Sequence, residues 1–228
     1  MSVFVYVYCC GITIATTDRR IDVYTLAILN KKGGAGKTLV TSSLGVIAAA
    51  AGLKVVIADL DPQASACAWA DVRETDDLAV ISAVPNRLAK VQTQCADAGI
   101  ELLIVDTAPS ADSGLLAAAR VADIVLMPTR PGLGDLAALR DTLELINTVE
   151  VPKAALLNSP KTTALRTEAL AAITSLGVEL VPVVFGDRVA FQHAFTSGLG
   201  VSEYEPSGKA SGELKRLWKW VSESMEGV

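Results

Sequence analysis

Histidine occurs once in this sequence and cysteine four times, which leaves little material for metal or thiol chemistry. The single His193 lies in the helical pattern Arg188-Val-Ala-Phe-Gln-His-Ala-Phe, with no partner ligand, and reads as a helix-surface or packing residue. Cys9, Cys10, Cys67 and Cys95 form no spaced metal pair, and adjacent Cys9 and Cys10 make no ordinary disulfide framework. A reducing cytoplasm is the compartment this implies. Aromatics are scarce at 5%, so the 51% hydrophobic fraction is mostly Ala, Val, Leu and Ile. That mixture suits helices packed on a buried parallel sheet. The apolar stretch 3–15 is only 13 residues long, too short to span a bilayer, and it lacks the basic flank and cleavage site of a signal peptide. Positive charge is also short, with a net charge of −5, which argues against a generally basic nucleic-acid binder. The deficit is local: residues 1–150 carry 12 basic and 17 acidic side chains, residues 151–228 carry 8 of each. The carboxy-terminal third is therefore the better candidate for touching a polyanion.

What is present, from Tyr24 onward, is an alternation of short apolar runs with longer helical patterns. Strands are predicted at 24–29, 54–58, 79–82, 101–105, 123–127, 154–157 and 180–184. Helices are predicted at 37–51, 63–73, from Pro85, and at 112–120, 134–148, 163–175, 189–196 and 211–225. Such alternation means right-handed βαβ units and an α/β fold, a doubly wound and mainly parallel sheet with helices on both faces. No repeat, low-complexity tract or linker interrupts it, so one domain is expected over 23–228. Residues 1–22 read as an extension from an upstream start codon, with an extra edge strand or a disordered arm as alternatives.

The decisive segment is Asn30-Lys31-Lys32-Gly33-Gly34-Ala35-Gly36-Lys37-Thr38, which follows an apolar strand and opens a helix. A phosphate-binding loop requires that context. Gly33, Gly34 and Gly36 let the backbone around Ala35 curl so that its N–H groups face phosphate oxygens, and the helix N-terminus adds its positive end. Lys37 is placed to bridge the β- and γ-phosphates and Thr38 to give a hydroxyl to Mg²⁺, so ATP and Mg²⁺ are the expected ligands. The alternative, a glycine-rich turn with solvated lysines, does not account for Gly36-Lys37-Thr38 in a strand–loop–helix setting. A second segment, Val55-Val-Ile-Ala-Asp59-Leu-Asp61-Pro-Gln, sends two carboxylates from the carboxyl end of a strand, where ligands bind in open α/β sheets. Capping of the next helix is the structural alternative for both. The third, Leu102-Leu-Ile-Val-Asp106-Thr-Ala-Pro109, ends an apolar strand in an aspartate suited to hold Mg²⁺ through water.

The form Lys32-Gly-Gly-Ala-Gly-Lys37-Thr resembles the deviant Walker A loop of the ParA/MinD family of P-loop ATPases, and the likeness extends from Tyr24 to about Met225. The resemblance implies that Lys32 reaches across an ATP-dependent homodimer to the partner's nucleotide, and that Asp61 orients or deprotonates the attacking water. It also implies that Asp59 supports the magnesium shell, and that Asn158 and Pro182 stand where relatives hold the adenine. Ala108 departs from the double proline common in the family. Arg188 and Lys209 are the implied DNA-facing cations, with Lys215, Arg216 and Lys219 behind them; a solvated helix face is the alternative for each.

By resemblance the chain is a cytoplasmic, nucleoid-associated partition ATPase of the short form, with no helix-turn-helix domain before the loop. Its ATP dimer would bind nonspecific DNA and be reset when a ParB-like centromere-binding partner stimulates hydrolysis. The competing classes are a MinD-like membrane-associated positioning ATPase and a dethiobiotin-synthetase-like enzyme. A nitrogenase-reductase role fails because Cys67 and Cys95 do not stand at cluster positions. The MinD-like reading turns on the last helix, where Leu214, Leu217, Trp218, Val221 and Met225 form an apolar stripe beside Lys215, Arg216 and Lys219. A basic amphipathic helix can lie on a membrane. Glu213, Glu223 and Glu226 dilute its charge, and so narrow a stripe suits packing on the domain.

Overall fold

The structure, a computed structural model, describes residues 23–109 and 111–226, with the backbone of 8–9 and 12–13. Those two pieces, β1 (Tyr8–Cys9) and β2 (Ile12–Thr13), pair antiparallel with each other and not with the main sheet. The rest of the proposed extension, residues 1–22, lies outside the described residues.

The main sheet contains β3 (Tyr24–Ile28), β4 (Val55–Asp59), β5 (Ala79–Ser82), β6 (Leu102–Asp106), β7 (Ile124–Thr129), β8 (Lys153–Leu157) and β9 (Glu179–Leu180). Their order is β5-β4-β6-β3-β7-β8-β9, and every neighbouring pair is parallel. Every residue of β3, β4 and β6 is buried, which is why these strands read as unbroken apolar runs. Side chains alternate between two cores: Leu26, Ile28, Ile57 and Ile104 enter one, Ala27, Leu29, Leu103 and Val105 the other. The first core is roofed by α1 (Lys37–Ala50), α2 (Ser65–Val72), α7 (Val189–Thr196), α8 (Val201–Tyr204) and α9 (Lys209–Glu226). The second is covered by α3 (Leu88–Asp97), α4 (Asp112–Val121), α5 (Leu133–Ile146) and α6 (Thr163–Ser175).

Local chemistry explains where the elements depart from the pattern. The final strand has two residues, not the five expected over 180–184, and Pro182 falls on its open edge, away from β8. The chain still follows β8, through Val181 N to Ala155 O and Phe185 N to Leu157 O. Helix α2 begins at Ser65 rather than Gln63, after Ala64 takes a left-handed conformation (φ 51°). A short turn at Pro85–Arg87 precedes α3, and α8 has no counterpart in the sequence pattern.

The last helix resolves the question its stripe raised. Leu214, Leu217 and Val221 are fully buried in the first core, with Trp218, Trp220 and Met225 packed against it. At about 2 kcal/mol per buried aliphatic side chain, lifting this face onto a bilayer would cost the domain several kcal/mol. Among the described residues no helix is long and apolar enough to cross a membrane.

Candidate functional site

The carboxyl ends of β3, β4 and β6 stand level, since Ile28 and Asp59 both pair with Asp106. Above them opens a cavity of about 570 Å³ lined by Gly33, Gly34, Gly36, Lys37, Thr38, Asp61, Ser65, Pro109 and Arg130, with Gln192, Phe195 and Thr196 of α7 as a side wall. That volume falls in the range of small-ligand sites.

The loop between β3 and α1 is held open from below. Asn30, fully buried, donates Nδ2 to Pro128 O (2.7 Å) and accepts from Lys32 N (2.7 Å), fixing the start of the loop. Asn158 donates Nδ2 to Ala35 O (3.0 Å) and fixes its middle. Gly36 has φ +99°, and a Cβ there would overlap Asn158 Nδ2, so conformation and space both demand glycine. Lys37 is buried and reaches Lys32 O at 3.3 Å; burial pulls its pKa down, against the opposing pull of Asp106 and Asp61. Lys31, in the place of the usual first glycine, pairs with Asp112 of α4 at 2.8 Å. Lys32 is exposed beside the cavity and makes no ion pair among the described residues.

Asp106 is the most perturbed acid among the described residues. It is completely buried, and desolvation pushes its pKa up to about 7, aided by Asp59 and opposed by Thr38, Lys37 and Thr41. Thr41 Oγ1 donates to its Oδ1 at 3.3 Å, while its Oδ2 has no partner among the described residues. A buried carboxylate oxygen without a donor, next to the Thr38 hydroxyl, is a place a divalent cation fits. Mg²⁺ needs only one or two protein oxygens when phosphates and waters supply the rest.

Asp59 makes the capping bonds that were the alternative reading of its motif. Its Oδ1 accepts from Asp61 N (2.9 Å), and its Oδ2 from Ala66 N (2.9 Å) and Cys67 N (3.2 Å). Both oxygens accept from backbone N–H groups, so Asp59 caps α2 and shapes the Asp61 turn; support of the magnesium shell is a further role proposed for it. Asp61 accepts from Gln63 N (2.9 Å) through Oδ1 and lines the cavity.

The remaining predicted residues divide. Asn158 is buried with both ends of its amide engaged, Nδ2 on the loop and Oδ1 on Ser159 Oγ (3.1 Å), so its role is to brace the loop. Pro182 is exposed and does not line the cavity. Arg188 is not a free cation: Nε donates to both oxygens of buried Glu213 at 3.0 Å, which also accepts from Gly186 N. A DNA contact by Arg188 would have to share the guanidinium with Glu213. Lys219 pairs with Glu223 (3.7 Å) and Lys215 donates to Pro206 O (3.1 Å); Lys209 and Arg216 are exposed. Lys161 and Arg166, which the sequence did not single out, are exposed beside Arg188 on one surface cleft. Asn30 and the α7 wall were also missed. The segment 122–131, which ends in Thr129-Arg130-Pro131, resembles the family segment that follows the next strand and lines the site, and Arg130 does line the cavity.

Comparison with known proteins places these features among relatives. A family model for the CobQ/CobB/MinD/ParA nucleotide binding domain matches residues 26–194. Maintenance of carboxysome distribution protein A from Gloeobacter kilaueensis is 30% identical over 88% of this chain and 93% of its own length. Sporulation initiation inhibitor protein Soj of Bacillus subtilis is 26% identical over 81% of this chain and 88% of its own. Among solved structures, the septum site-determining protein MinD from Pyrococcus horikoshii, complexed with Mg-ADP, superposes with a TM-score of 0.74 at 18% identity, over 87% of this chain and 96% of that one.

Proposed function

The chain belongs to the CobQ/CobB/MinD/ParA nucleotide-binding family, and from that membership we propose that it is the nucleotide switch of an intracellular segregation or positioning system. It is an ATPase of the ParA/MinD type, and ATP with Mg²⁺ is what such a site uses. The loop N–H groups and Lys37 bind and orient the phosphates, the Thr38 hydroxyl and Asp106 Oδ2 would hold Mg²⁺, and Asp61 positions water. Mg²⁺, when bound, offsets phosphate charge during transfer.

The observation that carries the switch is Lys32. Lys37 is the buried cation of its own site, whereas Lys32 stands outside, exposed and without an ion pair among the described residues. A cation so placed serves a second copy's nucleotide, which ties hydrolysis to dimerisation. Leu133, 89% exposed at the start of α5, lies one residue before Gly134, whose added Cβ would stand 3.8 Å from Lys32 Nζ. It is the apolar contact that a second copy would cover.

The dimer's track is proposed to be nonspecific DNA and its reset signal a ParB-like partner. The names of the two sequence relatives, one for carboxysome distribution and one for sporulation control, support a positioning role and leave plasmid, chromosome and protein-cluster cargoes open. The exposed cations that support DNA contact are Lys161, Arg166, Lys209 and Arg216. Asn158, through the loop it braces, and Pro182 are proposed as neighbours of the base. The membrane-associated reading loses its anchor, because the α9 stripe is core.

The test is fluorescence anisotropy with random duplex, run beside sedimentation with anionic liposomes, each with ATP and with ADP. ATP-dependent duplex binding that weakens steeply with salt is expected. Liposome binding without duplex binding would transfer the chain to the membrane class.

A further inference from the structure

The arginines of the described residues hold defined partners or stand on the outer surface of the fold, but Arg130 does neither. Arg73 is clamped by Asp77 and Glu203, Arg140 lies near Glu144, and Arg188 grips Glu213. Arg130 lines the phosphate-loop cavity, is exposed to it, and makes no ion pair or hydrogen bond through its guanidinium among the described residues. A methyl built on Gly34 would stand 3.9 Å from Arg130 Nη1. Among the described residues that line the cavity, Asp61 is the only carboxylate, and its Oδ1 already accepts from Gln63 N.

The backbone holds this side chain in place. Thr129, fully buried, ends β7; its carbonyl accepts from Asn158 N at 2.7 Å, and its hydroxyl lies 3.4 Å from the carbonyls of Arg130 and Asp135. Pro131 follows, and a residue before proline is restricted to extended conformations. The backbone of Arg130 is thus set by a bonded strand end, while its guanidinium has no bond to give up when an anion arrives.

We propose that Arg130 is a phosphate-binding residue of this site that recognises the terminal phosphate of ATP. In loops of this kind the helix N-terminus cradles the α- and β-phosphates and the loop lysine lies between β and γ. Arg130 lies against Gly34 of the loop, in the cavity that Asp61 also lines. Sharing the cavity with Asp61, the residue proposed to position water, it is assigned to the end of the nucleotide that ADP lacks. A guanidinium offers two parallel N–H groups to a phosphate, an arrangement a lysine ammonium cannot match. The residue makes the loop after β7, and with it the start of α5, sensitive to whether that phosphate is present.

The inference rests on nucleotide occupying this cavity, so the experiment separates the two. Affinities for a fluorescent non-hydrolysable ATP analogue and for fluorescent ADP are measured on wild type, Arg130→Ala, Arg130→Lys and Lys37→Ala. Arg130→Ala is expected to weaken the ATP analogue about 30-fold, the usual loss for one charge-assisted bond, and ADP less than about threefold. Arg130→Lys should recover part of the loss, and melting temperatures should match wild type because the guanidinium has no bonded partner to lose. An equal loss for both nucleotides, or none for either, overturns the assignment to the terminal phosphate. If Lys37→Ala keeps both affinities, the cavity itself is not the nucleotide site and the proposal falls with it.

Discussion

Asp106 shows how a single residue can weaken the empty protein in order to serve the filled one. Its pKa stands at about 7 instead of 3.8, so the folded chain holds the proton more tightly than the unfolded chain does. Stability of the nucleotide-free protein must then fall as pH rises from about 4 to 7, and the loss stays in full above that. Asp106→Asn removes the cost. It is expected to raise stability at pH 8 by on the order of 3 kcal/mol, since each tenfold change in proton affinity is worth about 1.4 kcal/mol, and to change little at pH 4.5. Thermal melts of both proteins at the two pH values check this, and an equal gain at both would contradict the assigned cause. The placement of this residue was legible from sequence, as an aspartate ending an apolar strand behind a phosphate loop. For Asp59 the metal and cap readings both need a carboxylate at a strand end, and the capping bonds to Ala66 and Cys67 N–H depend on how the next turn folds.

At the scale of elements, the sheet and its helices were readable because a buried parallel strand and an amphipathic helix leave different periodicities. The ion pair between the start of α7 and α9 was not. Arg188 and Glu213 lie 25 residues apart, and nothing in either segment announces a pair. Glu213 has a side-chain exposure of 8%, so losing its partner strands a buried carboxylate. Arg188→Ala is therefore expected to cost about 2–3 kcal/mol, less than a fully buried pair because Arg188 is partly solvated. For a domain of this size that lowers the melting point by roughly 5–10 °C. Calorimetry of the variant tests it; an unchanged melting point would show the pair to be incidental. DNA-binding tests consequently belong on Lys161 and Arg166, which can be changed without this side effect.

For the whole molecule the open question is association. Leu133→Glu and Lys32→Ala both alter the rim of the cavity and leave its floor alone. Each is expected to abolish the ATP-dependent dimer in size-exclusion chromatography, while ADP affinity of the monomer changes less than about threefold. A Leu133→Glu protein that still dimerises with ATP would remove that residue from the seam. Leu133 was not evident from sequence as a contact surface, because an exposed leucine carries no signal until its neighbours are known. The bond from Asn158 to Ala35 spans 123 residues, and its consequence lies in time. The loop that grips phosphate is made early in synthesis, but its brace is made late. At roughly 5–20 residues per second, about 6–25 s separate the two. Through that interval the growing chain carries every residue of the loop and still lacks the support that shapes it, so competence for nucleotide arrives only as the far half of the sheet closes.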